Sequence, residues 1–329
     1  MRDFKGRMRN IIKTAVFFAV LLLLLLGVSA GALALAKGND DLVASRNKSF
    51  SNVQKEAENT LDILVLGDSE SFTTVSPIDL WKNYGYPCFI CGQSGQKIQE
   101  SYYILKTALK KQNPKVVLLE TNVLYRKEEG TAALQSSLSE FASYSFPVLR
   151  FHDMWKQLLT GTTCHESNFK GFMIRTNVEA YEGGSYMQET EEEEPVEGAP
   201  LHWFKKIVRL CREKGIQLIL YSSPSPVNYN YKKHNGLQKL ADQYSLEYLD
   251  LNLKLEEIGI DWAVDTLDKG DHLNISGAEK VTKYLGDYLS GKYGLTDRRQ
   301  ETAYQSWNQE AEVYAEDEKT KILAIRENQ

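Results

Sequence analysis

The stretch "LDILVLGDSES", residues 61–71, opens with five apolar residues among its first six and then breaks on Gly67-Asp68-Ser69. Gly, Asp and Ser are ordinary turn residues, so the stretch alone describes a strand running into a solvated turn. A sharper reading holds Ser69 as a nucleophile at the carboxyl end of a buried strand. That reading requires a histidine, a carboxylate and oxyanion donors from elsewhere in the chain.

Outward from this strand, apolar runs alternate with helical stripes. Strands are expected at Leu61–Leu66, Pro87–Cys91, Lys115–Glu120, Ile216–Tyr221 and Leu246–Leu251. Helices are expected at Ile78–Tyr84, Gln96–Lys111, Pro200–Lys214, Gly236–Tyr244 and Ser276–Leu289, the last with a capping box of Ser276 and Glu279. "KVVLLE", residues 115–120, is continuously apolar at its centre, as a strand covered on both faces must be. Such β-α-β-α alternation predicts a three-layer α/β/α domain over 61–295 with a mainly parallel, flavodoxin-like sheet. An insertion at about 125–199 interrupts it. It holds "FPVLRFHDMWKQLL", expected as one amphipathic helix, and the acidic run Glu189–Glu194, expected as a solvated mobile loop. The tail, 296–329, alternates charge signs and is expected as an exposed helix or a frayed extension.

The N-terminus carries the main compositional signal. Thr14 to Ala36 is a run of 23 residues without a charge, with leucine at every position from Leu21 to Leu26. At about 1.5 Å per residue it spans a hydrocarbon core of roughly 30 Å. Arg2, Lys5, Arg7, Arg9 and Lys13 precede it against the single acid Asp3. The positive-inside rule therefore predicts a cytoplasmic N-terminus (1–13), a signal-anchor helix (14–36), a stalk or lead-in helix (37–60) and an extracytoplasmic domain. The competing reading is a cleaved signal peptide, since Ala34-Leu35-Ala36 has the small-x-small pattern of a cleavage site. The apolar run exceeds the usual signal core of about 7–15 residues, which favours the anchor. A net charge of -5 over 329 residues argues against a nucleic-acid partner.

Cys88 and Cys91 are three apart in an expected strand, so they point to opposite faces and share neither a metal nor a disulfide. Cys211 falls on an apolar helical stripe; the pairing of Cys164 is unreadable. No ligand cluster suggests a metal, and no cofactor is expected. His152, His165, His202 and His234 are expected as surface or packing residues, and Trp155 and its aromatic neighbours as core or as the wall of an acceptor site.

In open α/β sheets ligands sit at the carboxyl ends of the strands. The polar residues there are Gly67-Asp68-Ser69, then "GQSGQ" (92–96), then "ETN" (120–122); before the last helix comes "DTLDKGDHLNISGAEK", which holds His272. Taken in that order, the four segments resemble the SGNH/GDSL hydrolase superfamily over about 61–290. The resemblance implies Ser69 as nucleophile, His272 as general base, and an oxyanion hole of the Ser69 and Gly95 backbone N–H groups and the Asn122 amide. The family's aspartate stands three residues before its histidine, but here that residue is Lys269. Asp268, Asp271 and Asp265 remain as alternatives. Asp268 is preferred, because Gly270 lets the loop absorb one more residue. Glu120 and Val123 stand where many members have glycine and aspartate. With its anchor, the chain is also similar to extracytoplasmic members that accompany membrane-bound O-acyltransferases. That likeness implies a serine esterase or O-acyltransferase acting on envelope or secreted polysaccharide, or on an acylated small molecule, with a membrane-bound O-acyltransferase as partner. The alternatives are a simple esterase or deacetylase, and a binding module that kept the fold and lost the chemistry.

Overall fold

A computed structural model describes residues 2–161 and 169–327 of the chain; Cys164 and His165 lie outside the described residues. Five strands form one parallel sheet: β1 (Ile63–Gly67), β2 (Cys88–Gly92), β3 (Val116–Glu120), β4 (Gln217–Ser222) and β5 (Glu247–Asp250), in the order β2-β1-β3-β4-β5. Each lies within two residues of the stretch the apolar runs predict. The order is that of a flavodoxin-like doubly wound sheet, whose strand order reverses between β1 and β3. Helices lie on both faces. In chain order they are α1 (Arg2–Gly38), α2 (Ser45–Asn52), α3 (Ser69–Thr74), α4 (Pro77–Tyr84), α5 (Ile98–Ala108), α6 (Gly130–Ser145), α7 (Pro147–Arg150), α8 (Met154–Thr160), α9 (Gly198–Lys214), α10 (Tyr231–Tyr244), α11 (Leu255–Ile258), α12 (Ile275–Leu289) and α13 (Gln305–Glu327).

The pleat divides the core. Leu64 and Leu66 of β1 face one cluster with Phe204 and Ile207 of α9 and Leu237 of α10, while Ile63 and Val65 face the other with Val281, Leu285 and Leu289 of α12. Cys88 and Cys91 fall on opposite faces in the same way, and both are free thiols. Cys211 is buried in the α9 stripe.

Several elements depart from their expected form. The helix before the C-terminal region starts at Ile275, and its cap is Asn274, whose side chain accepts from the Ser276 and Gly277 N–H groups at 3.0 and 3.3 Å. The Ser276–Glu279 box is thus two residues too late, because the Asn cap pre-empts the serine. The helix expected from Gly236 begins a turn earlier, at Tyr231, capped by Asn230. The single helix expected in "FPVLRFHDMWKQLL" is two short ones, broken at Phe151–Asp153, and Trp155 proves exposed on the second and not core. The acidic run is a solvated loop, as expected, but with contacts on α10: Glu192 meets Lys232, Glu193 meets Lys239 at 2.7 Å, and Asn235 donates to the carbonyls of Thr190 and Glu192.

The tail departs most. Trp307, Ala311 and Tyr314 form an i, i+4, i+7 stripe on α13 that is buried against α4. Trp81 stacks on Tyr304 with centroids 5.4 Å apart, and its indole N–H donates to Asn308 at 3.0 Å. The buried Tyr314 hydroxyl accepts from Ser76 and donates to Asp79. At the other end, residues 37–60 contain α2, which buries Phe50 and donates from Ser49 to the Gly92 carbonyl at 2.7 Å.

Candidate active site

The turn after β1 is built by close packing. A Cβ on Gly67 would stand 2.7 Å from the Cβ atoms of both Glu120 and Ser71, and one on Gly92 would stand 2.2 Å from the Ser71 hydroxyl. Only glycines let Ser71 tuck beneath the turn and donate to the Asp68 carbonyl at 2.7 Å. Asp68 caps α3 by accepting from the Glu70 N–H at 3.1 Å, so Ser69 opens that helix beyond the sheet edge.

His272 reaches the same point from the loop before α12. Its Nε2 lies 2.8 Å from the Ser69 Oγ and its Nδ1 lies 2.8 Å from Asp268 Oδ2. Asp268 grips the histidine twice, because its Oδ1 also accepts from the His272 backbone N–H at 2.7 Å. The spacing of four residues closes through two consecutive left-handed positions, Lys269 (φ +57°) and Gly270 (φ +88°). The loop is held on both sides: the Gly270 N–H donates to Thr266 Oγ1 at 2.7 Å and the Lys269 N–H to the Glu179 carbonyl at 2.8 Å. Asp271 Oδ2 stands farther off, 3.7 Å from His272 Nδ1, and its Oδ1 accepts from Asn228 at 2.5 Å. Asp265 is buried and pairs with Lys280 at 2.6 Å, away from the imidazole.

The expected oxyanion donors sit on neighbouring strand ends. Asn122 follows β3 across the switch point from Ser69. One of its amide hydrogens goes to Asp68 Oδ2 at 2.9 Å, which leaves the second for a ligand. Gly95 lies in the loop after β2, in the left-handed region (φ +62°). This loop is braced by Arg46 of α2, which donates to the Ser94 carbonyl at 2.6 Å and to Glu100. Beside it opens a cavity of about 300 Å³, lined in part by Arg46, Lys48, Phe72, Gln93 and Arg175.

Three carboxylates are buried under the turn: Asp68, Glu70 and Glu120. Asp68 is met by Arg126 at 2.5 Å as well as by Asn122. Burial, then the nearby Glu120 and Asp68, pushes the Glu70 carboxyl well above the usual range. Burial and Asp68 do the same to Glu120. Glu70 Oε1 accepts from Asn228 at 2.7 Å, but its Oε2 is buried with no hydrogen-bond partner among the described residues. An ionised carboxylate is costly in that position. Glu120 accepts from the Asn122 N–H at 2.8 Å and so shapes the turn that carries Asn122.

Arg126, Asn228 and Glu70 were not read from the sequence as parts of this site. Arg126 and Asn228 stand in loops with no motif of their own, and nothing beside Glu70 in the turn after β1 signals that its carboxylate is buried. His234, expected as a surface or packing residue, is half-buried and pairs with Asp250 at 2.7 Å, while His152 and His202 are exposed. Ligand atoms of Glu70, Asp271 and His272 lie within 4.8 Å of one another. Both ring nitrogens of His272 are already hydrogen-bonded, so this donor set is engaged without a metal.

The fold and site together define an α/β protein with a Ser–His–Asp hydrogen-bonded chain at the carboxyl edge of its sheet. No family model and no curated protein matches the sequence. Among solved structures the chain is similar to the crystal structure of TesA, with a TM-score of 0.36 and 13% identity, over 69% of this chain and 97% of that one.

Proposed function

We propose that this chain is an SGNH-type serine esterase or O-acyltransferase that works through an acyl-Ser69 intermediate. The observation that carries the reading is the chain Asp268–His272–Ser69, with both imidazole nitrogens at 2.8 Å from their partners. Ser69 Oγ attacks an ester carbonyl while His272 Nε2 takes its proton. Asp268 holds the tautomer with the proton on Nδ1 and stabilises the imidazolium that forms. The oxyanion forms near the Ser69 and Gly95 N–H groups and the free amide hydrogen of Asn122; one such donor is worth about 3–4 kcal/mol. His272 then returns the proton to the departing alkoxide as the carbonyl re-forms and the ester C–O bond breaks. Water or a sugar hydroxyl, deprotonated by the same nitrogen, next attacks the acyl carbonyl; the ester bond to Ser69 Oγ breaks and His272 returns the proton to that oxygen. The first outcome is hydrolysis and the second is transfer.

The apolar N-terminal helix supports transfer on a cell-envelope or secreted polysaccharide, because tethering raises the effective concentration at a membrane-side acceptor or beside a membrane-bound O-acyltransferase. The test uses the detergent-solubilised full chain. A fluorophosphonate probe should label Ser69, and a small acetyl ester should leave an acetyl group on Ser69 in mass spectra. Ser69→Ala should abolish both, and adding His272→Ala should cost almost nothing more, since residues acting in one step are strongly non-additive. Acetylation that persists in Ser69→Ala would overturn the assignment.

A further inference from the structure

The chain is anchored by α1 in the reading above, and the following rests on that anchor. The charge-free run Thr14–Ala36 is about 34 Å long as a helix, only about two or three residues more than a hydrocarbon core of roughly 30 Å needs. Yet the last turns of α1 are not bare. Ser29 and Ala36 are buried against the folded domain, and Ala32 and Leu33 pack on its core. These four stand at i, i+3, i+4 and i+7, one face of the helix, and α7 lies against it. The uncovered part, Thr14 to Val28, is only about 22 Å long at about 1.5 Å per residue. That falls short of a hydrocarbon core of roughly 30 Å. The surface next to α7 therefore lies at the depth of the outer bilayer boundary.

The segment that occupies this position has the chemistry for it. From Gly130 to Phe151 the only charged side chains are Glu140 and Arg150. Both are buried, and they pair with each other. The outward surface of α6 and α7 is thus uncharged, in a chain that is 25% charged overall. Leu134, Leu138 and Phe141 of α6 are exposed at i, i+4 and i+7, followed by Leu149 of α7 and by Trp155, Leu158 and Leu159 of α8. Outside α1, only Val178, Val227, Leu253 and Val313 are comparably exposed large apolar residues among the described ones. Trp155 is flanked by Lys156, its amine 5.9 Å from the indole ring. That pairing suits the headgroup level, where tryptophan and basic side chains collect.

We infer that α6–α8 form a seat that rests in the outer boundary of the lipid bilayer, beside the anchor helix, with Leu134, Leu138, Phe141, Trp155, Leu158 and Leu159 facing lipid. The seat is coupled to the candidate site. Lys97, at the end of the loop that holds Gly95, donates to Ser136 of α6 at 3.2 Å and meets Glu128. Asn47 of α2 donates to the Arg150 carbonyl at 3.1 Å. A domain held by one helix can swivel. One that also rests on a seat presents Ser69 at a fixed height and angle to the membrane.

The test is fluorescence of the full chain reconstituted into vesicles of lipid alone, with bromine placed on the acyl chains close to the headgroups. Shallow bromine should quench the protein, and most of that quenching should vanish in Trp155→Phe. Leu158→Glu with Leu159→Glu should shift the wild-type emission to the red. Equal quenching with and without Trp155 would overturn the seat and leave a protein partner as the cover for this face. Flotation of the vesicles after an alkaline wash separates the two readings. A chain that washes off defeats the anchor and the seat together, whereas one that stays but shows no Trp155 quenching defeats the seat alone.

Discussion

Asp268 and Asp271 flank the same imidazole, and the choice between them rests on two atoms. Asp268 spends both oxygens on His272, one on Nδ1 and one on the backbone N–H. Asp271 is 3.7 Å from Nδ1 and is turned toward Asn228. Asp268→Asn should lower kcat/KM on an acetyl ester by about 10³- to 10⁴-fold, by stabilising the wrong tautomer. Asp271→Asn should cost less than tenfold, and equal losses would show that the loop repacks around the substrate. Glu70 yields a different prediction. Its pKa is raised by burial, so the folded state keeps a proton that the unfolded chain has lost. The stability this gives is complete below the unfolded value of about 4.3 and is lost as pH rises through the folded value. Glu70→Gln, which carries no charge at any pH, should melt with the wild type near pH 4 and above it at pH 8. A difference that does not grow with pH would mean that Glu70 titrates as an exposed carboxylate. That Ser69 and His272 converge was legible because a strand end and a helix entry frame them, whereas the aspartate was left as a choice among Asp268, Asp271 and Asp265, which only the loop geometry separates. Arg126 and Asn228 were not, because nothing local in a loop states which buried carboxylate it will meet.

At the scale of elements, legibility followed the length of the apolar signal. β1, β2 and β3 are buried along their whole length and read as apolar runs bounded by turn residues, while the edge strand β5 carries Glu247 and Asp250; all five were readable to within two residues. α13 was not legible as a packed helix. Its buried face is a stripe of Trp307, Ala311 and Tyr314 within a sequence of alternating charges, and its receptor, Trp81 on α4, is more than two hundred residues away. The two views of the tail differ sharply in energy. Truncating an exposed tryptophan on a frayed helix costs almost nothing. Trp307 is 2% exposed and packs against Trp81, so Trp307→Ala should destabilise the protein by about 3–5 kcal/mol in a denaturant titration. A loss below about 1 kcal/mol would mean that α13 detaches from α4 in solution. The acidic run is the solvated loop its charges predict; what they do not show is that its contacts are with Lys232, Asn235 and Lys239 of α10.

For the whole molecule the open question was whether the N-terminal helix is kept or removed, and the packing of α1 bears on it. The small-x-small site ends at Ala36, and a peptidase there would need the backbone extended and accessible. Instead α1 continues as helix to Gly38, and Ala36 is fully buried against the folded domain. Cleavage after Ala36 would also remove Ser29, Ala32 and Leu33 from their contacts with the core. In the folded chain this site is covered, which supports the anchor proposed above. Combined with an apolar run too long for an ordinary signal core, this favours retention. The protein isolated from its native membrane should have an intact mass that includes residues 2–36, and it should resist extraction by alkaline carbonate. Protease added outside intact cells should digest the domain beyond Lys37 while sparing the basic N-terminal segment, as the positive-inside rule requires. A mature chain beginning at Lys37 would show that cleavage outruns folding. Protection of the domain from external protease would reverse the orientation and take the polysaccharide reading with it.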